Sequence, residues 1–288
     1  MKGMKKIITA ALLFATTMGY SQDVSFKVQI YGKGEPVILI PGLGCSGDMW
    51  KETVNNFKDH YQLYVLTLPG FAGVRAIDTP VLKTVTDQLI SYVQGKHISK
   101  PVLIGHSLGG FIGLWAASEA PDLFSKIICV DGYPFFPGAF DPGVTAQQIK
   151  LNPAYNGDSV ANKYISMPDP AFAENRFQMA LWMVKDSAHA KIITKWNMQS
   201  DRKTLAYAYA EMCTKDLRDD IAKINIPVLV LGATYSTKEG SKQMMEEQFK
   251  NLPHKMIEIA PTKHFIMFDN PDWFKQQVKN FLVNGLYN

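Results

Sequence analysis

Cysteine is scarce, the net charge is slight, and no metal- or phosphate-binding signature occurs in the 288 residues. Cys45, Cys129 and Cys213 are an odd number, so at least one thiol stays unpaired within a monomer. Cys129 lies in the apolar run IICV and reads as a buried small hydrophobe, while the pairing of Cys45 and Cys213 is left open. Of the formal charge of +4, three units come from Lys2, Lys5 and Lys6, in a stretch that holds no acid. The remainder of the chain is close to neutral, so its basic balance does not point to nucleic acid. HExxH, CxxC and a phosphate-binding glycine loop are all missing, and neither a metal nor an organic cofactor is implied. No internal repeat or low-complexity segment is present.

What the N-terminus does contain is a leader pattern. The three lysines form a positive region, Ile7 to Met18 a short apolar run, and Gly19 and Ser21 put small residues where a signal peptidase reads them. Residues 1–21 are therefore expected to be a signal peptide cleaved before Gln22, placing the mature protein in the periplasm or outside the cell. The run is well short of the roughly 20 residues that span a bilayer, so stable membrane insertion after cleavage is not expected.

Hydrophobic residues make up 47% of the chain, enough to bury a large core. Short β-branched runs recur at Val37 to Ile40, Leu63 to Thr67, Val102 to Ile104, Ile127 to Val130, Val228 to Leu231 and Met256 to Ile259. Amphipathic stretches separate them, with helices predicted at Met49 to Lys58, Val81 to Val93, Leu108 to Glu119, Lys242 to Asn251 and Pro271 to Val283. Asn270 caps the last of these, and Pro271 takes its first position. The alternation predicts an α/β fold, a doubly wound and mostly parallel sheet, with one or two edge strands from Asp23 to Tyr31 ahead of it. The rhythm breaks after YPFFPGAFDPG, where several helices replace strands. This places an α/β core in residues 22–132 and 220–288 and a helical cap, inserted between two strands, in residues 133–219. The cap is heavy in Met and aromatics: most should pack it onto the sheet, and a minority should line a pocket at the carboxyl ends of the strands.

The sharpest motif is Gly105-His106-Ser107-Leu108-Gly109, followed by Gly110, between the strand VLI and the helix FIGLWAASEA. A serine on such an elbow has a strained backbone, and flanking glycines let the turn close. With PVILIPGLG, IGHSLGG, DLRDDIAKINIPVLVLG and KHFIMFDNPDWF, the chain resembles the α/β-hydrolase superfamily, in particular its esterase and haloperoxidase-like members. The resemblance makes Ser107 the nucleophile and His264, after the last strand and before Pro271, its base. His60, His97, His189 and His254 lack that context, and His106 is expected to pack beside the nucleophile. The oxyanion donors become the N–H groups of Leu43, in the loop Pro41-Gly42-Leu43-Gly44, and of Leu108; Pro41 stands where relatives often carry histidine.

One part of the pattern is missing. Most members place the acid three residues after the glycine that closes the strand VLVLG, and here that residue is Tyr235, in a loop without any acid. Some members carry it instead at the end of the strand after the elbow helix, where this chain has Asp131. Asp131 is the expected third member, with a structural role at the strand end as its alternative; Glu239 and Asp216 are less well placed. The expected reaction is hydrolysis of an ester-type bond (carboxylic ester, thioester or lactone) in a small, largely apolar molecule through an acyl-enzyme. Amide cleavage, carbon–carbon bond hydrolysis, perhydrolysis, or a ligand-binding homologue without turnover stay open. Serine at 107 argues against dehalogenase and epoxide hydrolase chemistry, which needs aspartate there. Oligomeric state has no signature.

Overall fold

Residues 24–285 are described in the computed structural model, so the predicted leader and its cleavage point lie outside the described residues. Among the described residues seven strands form one sheet: β1 (Lys27–Tyr31), β2 (Glu35–Ile40), β3 (Tyr61–Thr67), β4 (Val102–His106), β5 (Lys126–Val130), β6 (Val228–Gly232) and β7 (Lys255–Ile259). Their order is β1-β3-β2-β4-β5-β6-β7. Only β1 runs antiparallel, against β3; every other pairing is parallel. The loosely alternating stretch before Gly32 thus forms one edge strand.

Successive side chains of a strand point to opposite faces, and both faces of this sheet are covered. Ile38, Ile40, Leu103, Ile127, Cys129, Val228 and Val230 enter one core. Val37, Leu39, Val102, Ile104, Ile128, Val130, Leu229 and Leu231 enter the other. The first core takes Leu82, Val85 and Leu89 of α2 (Val81–Gly95), Phe111 of α3 (Leu108–Glu119), and Met245 and Phe249 at the end of α9 (Lys238–Gln248). The second takes Val54 of α1 (Lys51–Phe57) and Phe274, Val278 and Phe281 of α11 (Pro271–Asn284), with Trp50 stacked on Phe274 at 6.2 Å. Each such side chain contributes about 1.5–3 kcal/mol when fully buried.

Between β5 and β6 lie α4 (Ala146–Leu151), α5 (Gly157–Ser166), α6 (Asp169–Met183), α7 (Ser187–Met198) and α8 (Arg202–Thr214). Thr145, Asn156, Asp186 and Asp201 open α4, α5, α7 and α8 by accepting backbone N–H groups that the first turn leaves unpaired. The same chemistry corrects one predicted boundary. Thr237 accepts the Gly240 N–H, so α9 begins at Lys238 rather than Lys242 and draws Glu239 into its first turn. The predicted Met49 to Lys58 helix opens as a 3-10 turn, Gly47–Trp50, capped by Ser46. A short α10 (Ile266–Asp269), not predicted, precedes α11. All three cysteines are free and buried.

Candidate active site

Parallel register sets Gly105 beside Cys129, His106 beside Val130, Val130 beside Leu231 and Gly232 beside Ile259. The segments leaving β4, β5, β6 and β7 therefore emerge along one edge of the sheet, and they carry Ser107, Asp131, Tyr235 and His264. Contacts across the chain follow from this alignment, since Asp131 and His264 are 133 positions apart.

Ser107 adopts φ 52° and ψ −117°, a conformation that L side chains rarely take. Such a residue costs about 1–3 kcal/mol and persists only where its surroundings over-determine it. Here the Ser107 N–H donates to Val130 O at 2.8 Å, and its carbonyl accepts the Phe111 N–H. Glycine is required on both sides: a Cβ at Gly105 would lie 2.2 Å from Gly109 O, and one at Gly109 would lie 2.2 Å from Ile40 O.

Asp131 is 1% exposed and has a positive φ of 46°. Its Oδ1 accepts the Ala233 N–H at 2.9 Å, and its Oδ2 lies 2.6 Å from His264 Nδ1. The Tyr235 hydroxyl donates to the same Oδ2 and stands 3.2 Å from His264 Nδ1. With Nδ1 committed to the carboxylate, Nε2 is the ring nitrogen left for the serine side. Burial, and then the negative charge of Asp131, push the Tyr235 hydroxyl well above its ordinary range, so it remains a donor. The Tyr133 hydroxyl, beside that of Tyr235, is buried, and burial and then the Asp131 charge raise it too.

His106, directly before the serine, is fully buried. Its ring sits 4.6 Å from that of His264 and 4.5 Å from Phe265, and its Nε2 is 3.2 Å from His264 O. Burial, reinforced by the neighbouring His264, holds its pKa well below the ordinary imidazole range. A neutral ring with its proton on Nε2 donates to the His264 carbonyl, which fixes the backbone from which the second imidazole projects. Nδ1 stays unpaired.

Ser107, Asp131 and His264 line one cavity of about 300 Å³, together with Gly42 and Leu43. Among the described residues Ser107 Oγ makes no hydrogen bond, as is common in unliganded sites, where such contacts tighten once substrate is bound. Leu43 follows β2, and Leu108 is the first residue of α3, whose opening N–H groups have no intrahelical acceptor. Neither amide has a backbone acceptor among the described residues. The two other acids weighed from the sequence lie apart: Glu239 is exposed, and Asp216 pairs with Arg218.

Of the cap's Met and aromatic residues, Met179, Trp182, Met183, Tyr209 and Met212 line the cavity, whereas Phe172 and Trp196 are buried as packing. Two residues of the site were not foreseen. Tyr235 has no signal in sequence beyond standing where an acid was expected. Arg176 lines the cavity at 7% exposed, and its spacing from Phe172 and Ala180 along α6, four residues each way, already set it on the buried face. Among the described residues no group of three or more His, Cys, Asp or Glu is arranged to hold a metal ion, and no helix is long and apolar enough to cross a membrane.

A family model described as the alpha/beta hydrolase family matches residues 37–277. A pimeloyl-[acyl-carrier protein] methyl ester esterase of Vibrio vulnificus is 28% identical over 269 residues, covering 91% of this chain and 98% of the relative. Among solved structures, a thermophilic esterase from Thermogutta terrifontis, with malate bound, superposes with a TM-score of 0.74 at 20% identity, covering 89% of this chain and 92% of that one. The enol-lactonase from Burkholderia xenovorans gives 0.71 at 15% identity, covering 90% and 96%.

Proposed function

The chain belongs to the alpha/beta hydrolase family, and from that premise we propose that it is a serine hydrolase cleaving an ester-type bond of a small, largely apolar substrate. In this reading His264 Nε2 removes the Ser107 proton as Oγ attacks the carbonyl carbon, and Asp131 holds the ring and stabilises its charged form. The oxyanion of the tetrahedral intermediate is received by the Leu43 and Leu108 N–H groups, and the intermediate collapses with loss of the alcohol, thiol or ring oxygen. Water, with His264 again as base, then releases the acid from the acyl-enzyme. The observation that carries the reading is a buried carboxylate 2.6 Å from His264 Nδ1, on the same cavity as a strained serine. The esterase named among its relatives supports an ester as the bond cleaved.

The test is labelling by an active-site-directed organophosphonate, read by peptide mass spectrometry. Modification at Ser107 alone, lost in Ser107→Ala together with hydrolysis of short-chain aryl esters, is expected. Folded protein that takes no label, or a Ser107→Ala variant with unchanged turnover, would overturn the proposal. The leader read from residues 1–21 further proposes a periplasmic or secreted enzyme, and an intact mass beginning at Gln22 in the extracytoplasmic fraction checks it.

A further inference from the structure

Arg176 is the charged side chain that the proposed reaction leaves unused. It stands on the buried face of α6 and lines the cavity that holds Ser107, and it is 7% exposed. The two other cap arginines are paired with acids: Arg202 meets Asp169, and Arg218 meets Asp216. Arg176 has no carboxylate partner among the described residues: its Nε and Nη2 donate to Asn175 Oδ1 at 3.1 and 2.5 Å, and no hydrogen bond uses Nη1. The guanidinium carbon lies 4.7 Å from the ring centre of Tyr164 and 5.2 Å from that of Phe172. Two aromatic faces and one amide oxygen stabilise a buried cation in part, without neutralising it. Arginine cannot escape by losing its proton, and its planar fork matches a carboxylate. Around it the lining is mostly Met and aromatic, a low-dielectric setting in which an arriving anion is held strongly.

We propose that Arg176 is the specificity-determining residue of the cavity, and that the substrate is an ester carrying a carboxylate at the end away from the scissile bond, the half-ester of a dicarboxylic acid being its simplest form. The apolar walls then face the methylene chain between the two ends. This rests on the serine-esterase reading for the reaction, though not for binding.

The test compares monomethyl glutarate and monomethyl adipate with methyl pentanoate and methyl hexanoate. In the native enzyme kcat/KM is expected to favour the half-esters by about 10²-fold, the order of a desolvated charge pair. That ratio should fall about 10²-fold in Arg176→Gln, mainly through KM, and be partly kept in Arg176→Lys. A native ratio at or below one, or a ratio unmoved in Arg176→Gln, overturns the proposal. Calorimetry with glutarate and adipate on Ser107→Ala, with and without Arg176→Gln, gives a readout free of turnover. Binding lost with Arg176 while no ester is cleaved would sink the esterase reading alone; ester cleavage with no carboxylate preference and no dicarboxylate binding would sink this one alone.

Discussion

Tyr235 donates its hydroxyl hydrogen to Asp131 Oδ2, the same oxygen that lies 2.6 Å from His264 Nδ1. The loop after β6 therefore supplies no acid of its own, yet it still contributes a donor to the carboxylate that arrives from β5. In the proposed mechanism Tyr235 is a positioning residue: it holds the oxygen that holds the imidazole.

Removing that donor loosens the hold on the carboxylate oxygen that orients the imidazole. Tyr235→Phe is expected to lower kcat roughly fivefold, the worth of one ordinary hydrogen bond, with KM little changed. An unchanged kcat would show that the contact is only packing.

Asp131→Asn keeps an acceptor for the Ala233 N–H, so the loop should survive. Its amide would present N–H to His264 Nδ1 and favour the tautomer with the proton on Nε2, facing the serine. We expect kcat to fall about 10²-fold or more with the thermal midpoint little changed. Should Glu239→Gln prove the damaging change instead, Asp131 is not the acid.

His106 carries a pH prediction. Above about 6.5 it is neutral folded and unfolded, and adds nothing to the pH dependence. As pH falls below that value the unfolded chain takes up a proton that the buried ring does not, so stability declines by up to about 1.4 kcal/mol per pH unit until the depressed native value is reached. The difference between the urea-derived stabilities at pH 8 and pH 5.5 should show this loss in the native protein and less of it in His106→Asn. Equal slopes in the two proteins would mean that the ring accepts a proton in place.

Glu211 joins the helical insertion to the core. From α8 its carboxylate accepts the Val81 N–H at 2.8 Å and the Leu82 N–H at 2.6 Å, capping α2, whose own Pro80 has no side-chain donor or acceptor to offer. Glu211→Ala is expected to cost about 2 kcal/mol in urea unfolding, since two N–H groups lose a charged acceptor. A loss below about 0.5 kcal/mol would mean that solvent replaces it.

How far these features could be read beforehand depended on the range of the interaction behind them. The sheet strands from Val37 onward were legible because burial on both faces demands apolar runs, and the elbow was legible because its strain admits only glycine at 105 and 109. The start of α9 was missed by four residues, because one hydroxyl, that of Thr237, outweighed the hydrophobic pattern. Arg176 sat at a readable helical spacing, but whether a cation on that face meets an acid or an open cavity depends on which elements pack against it.

Composition, periodicity and the GHSLG turn by themselves determined the α/β architecture, and the resemblance to the α/β hydrolases that the motifs carry named Ser107, His264 and Asp131 as candidates. Only tertiary structure decided that Tyr235 would share a carboxylate oxygen with His264 and that Arg176 would line the cavity with no carboxylate partner among the described residues. Both depend on side chains from distant segments meeting at one sheet edge, where distance and burial, rather than any pattern along the chain, set the chemistry.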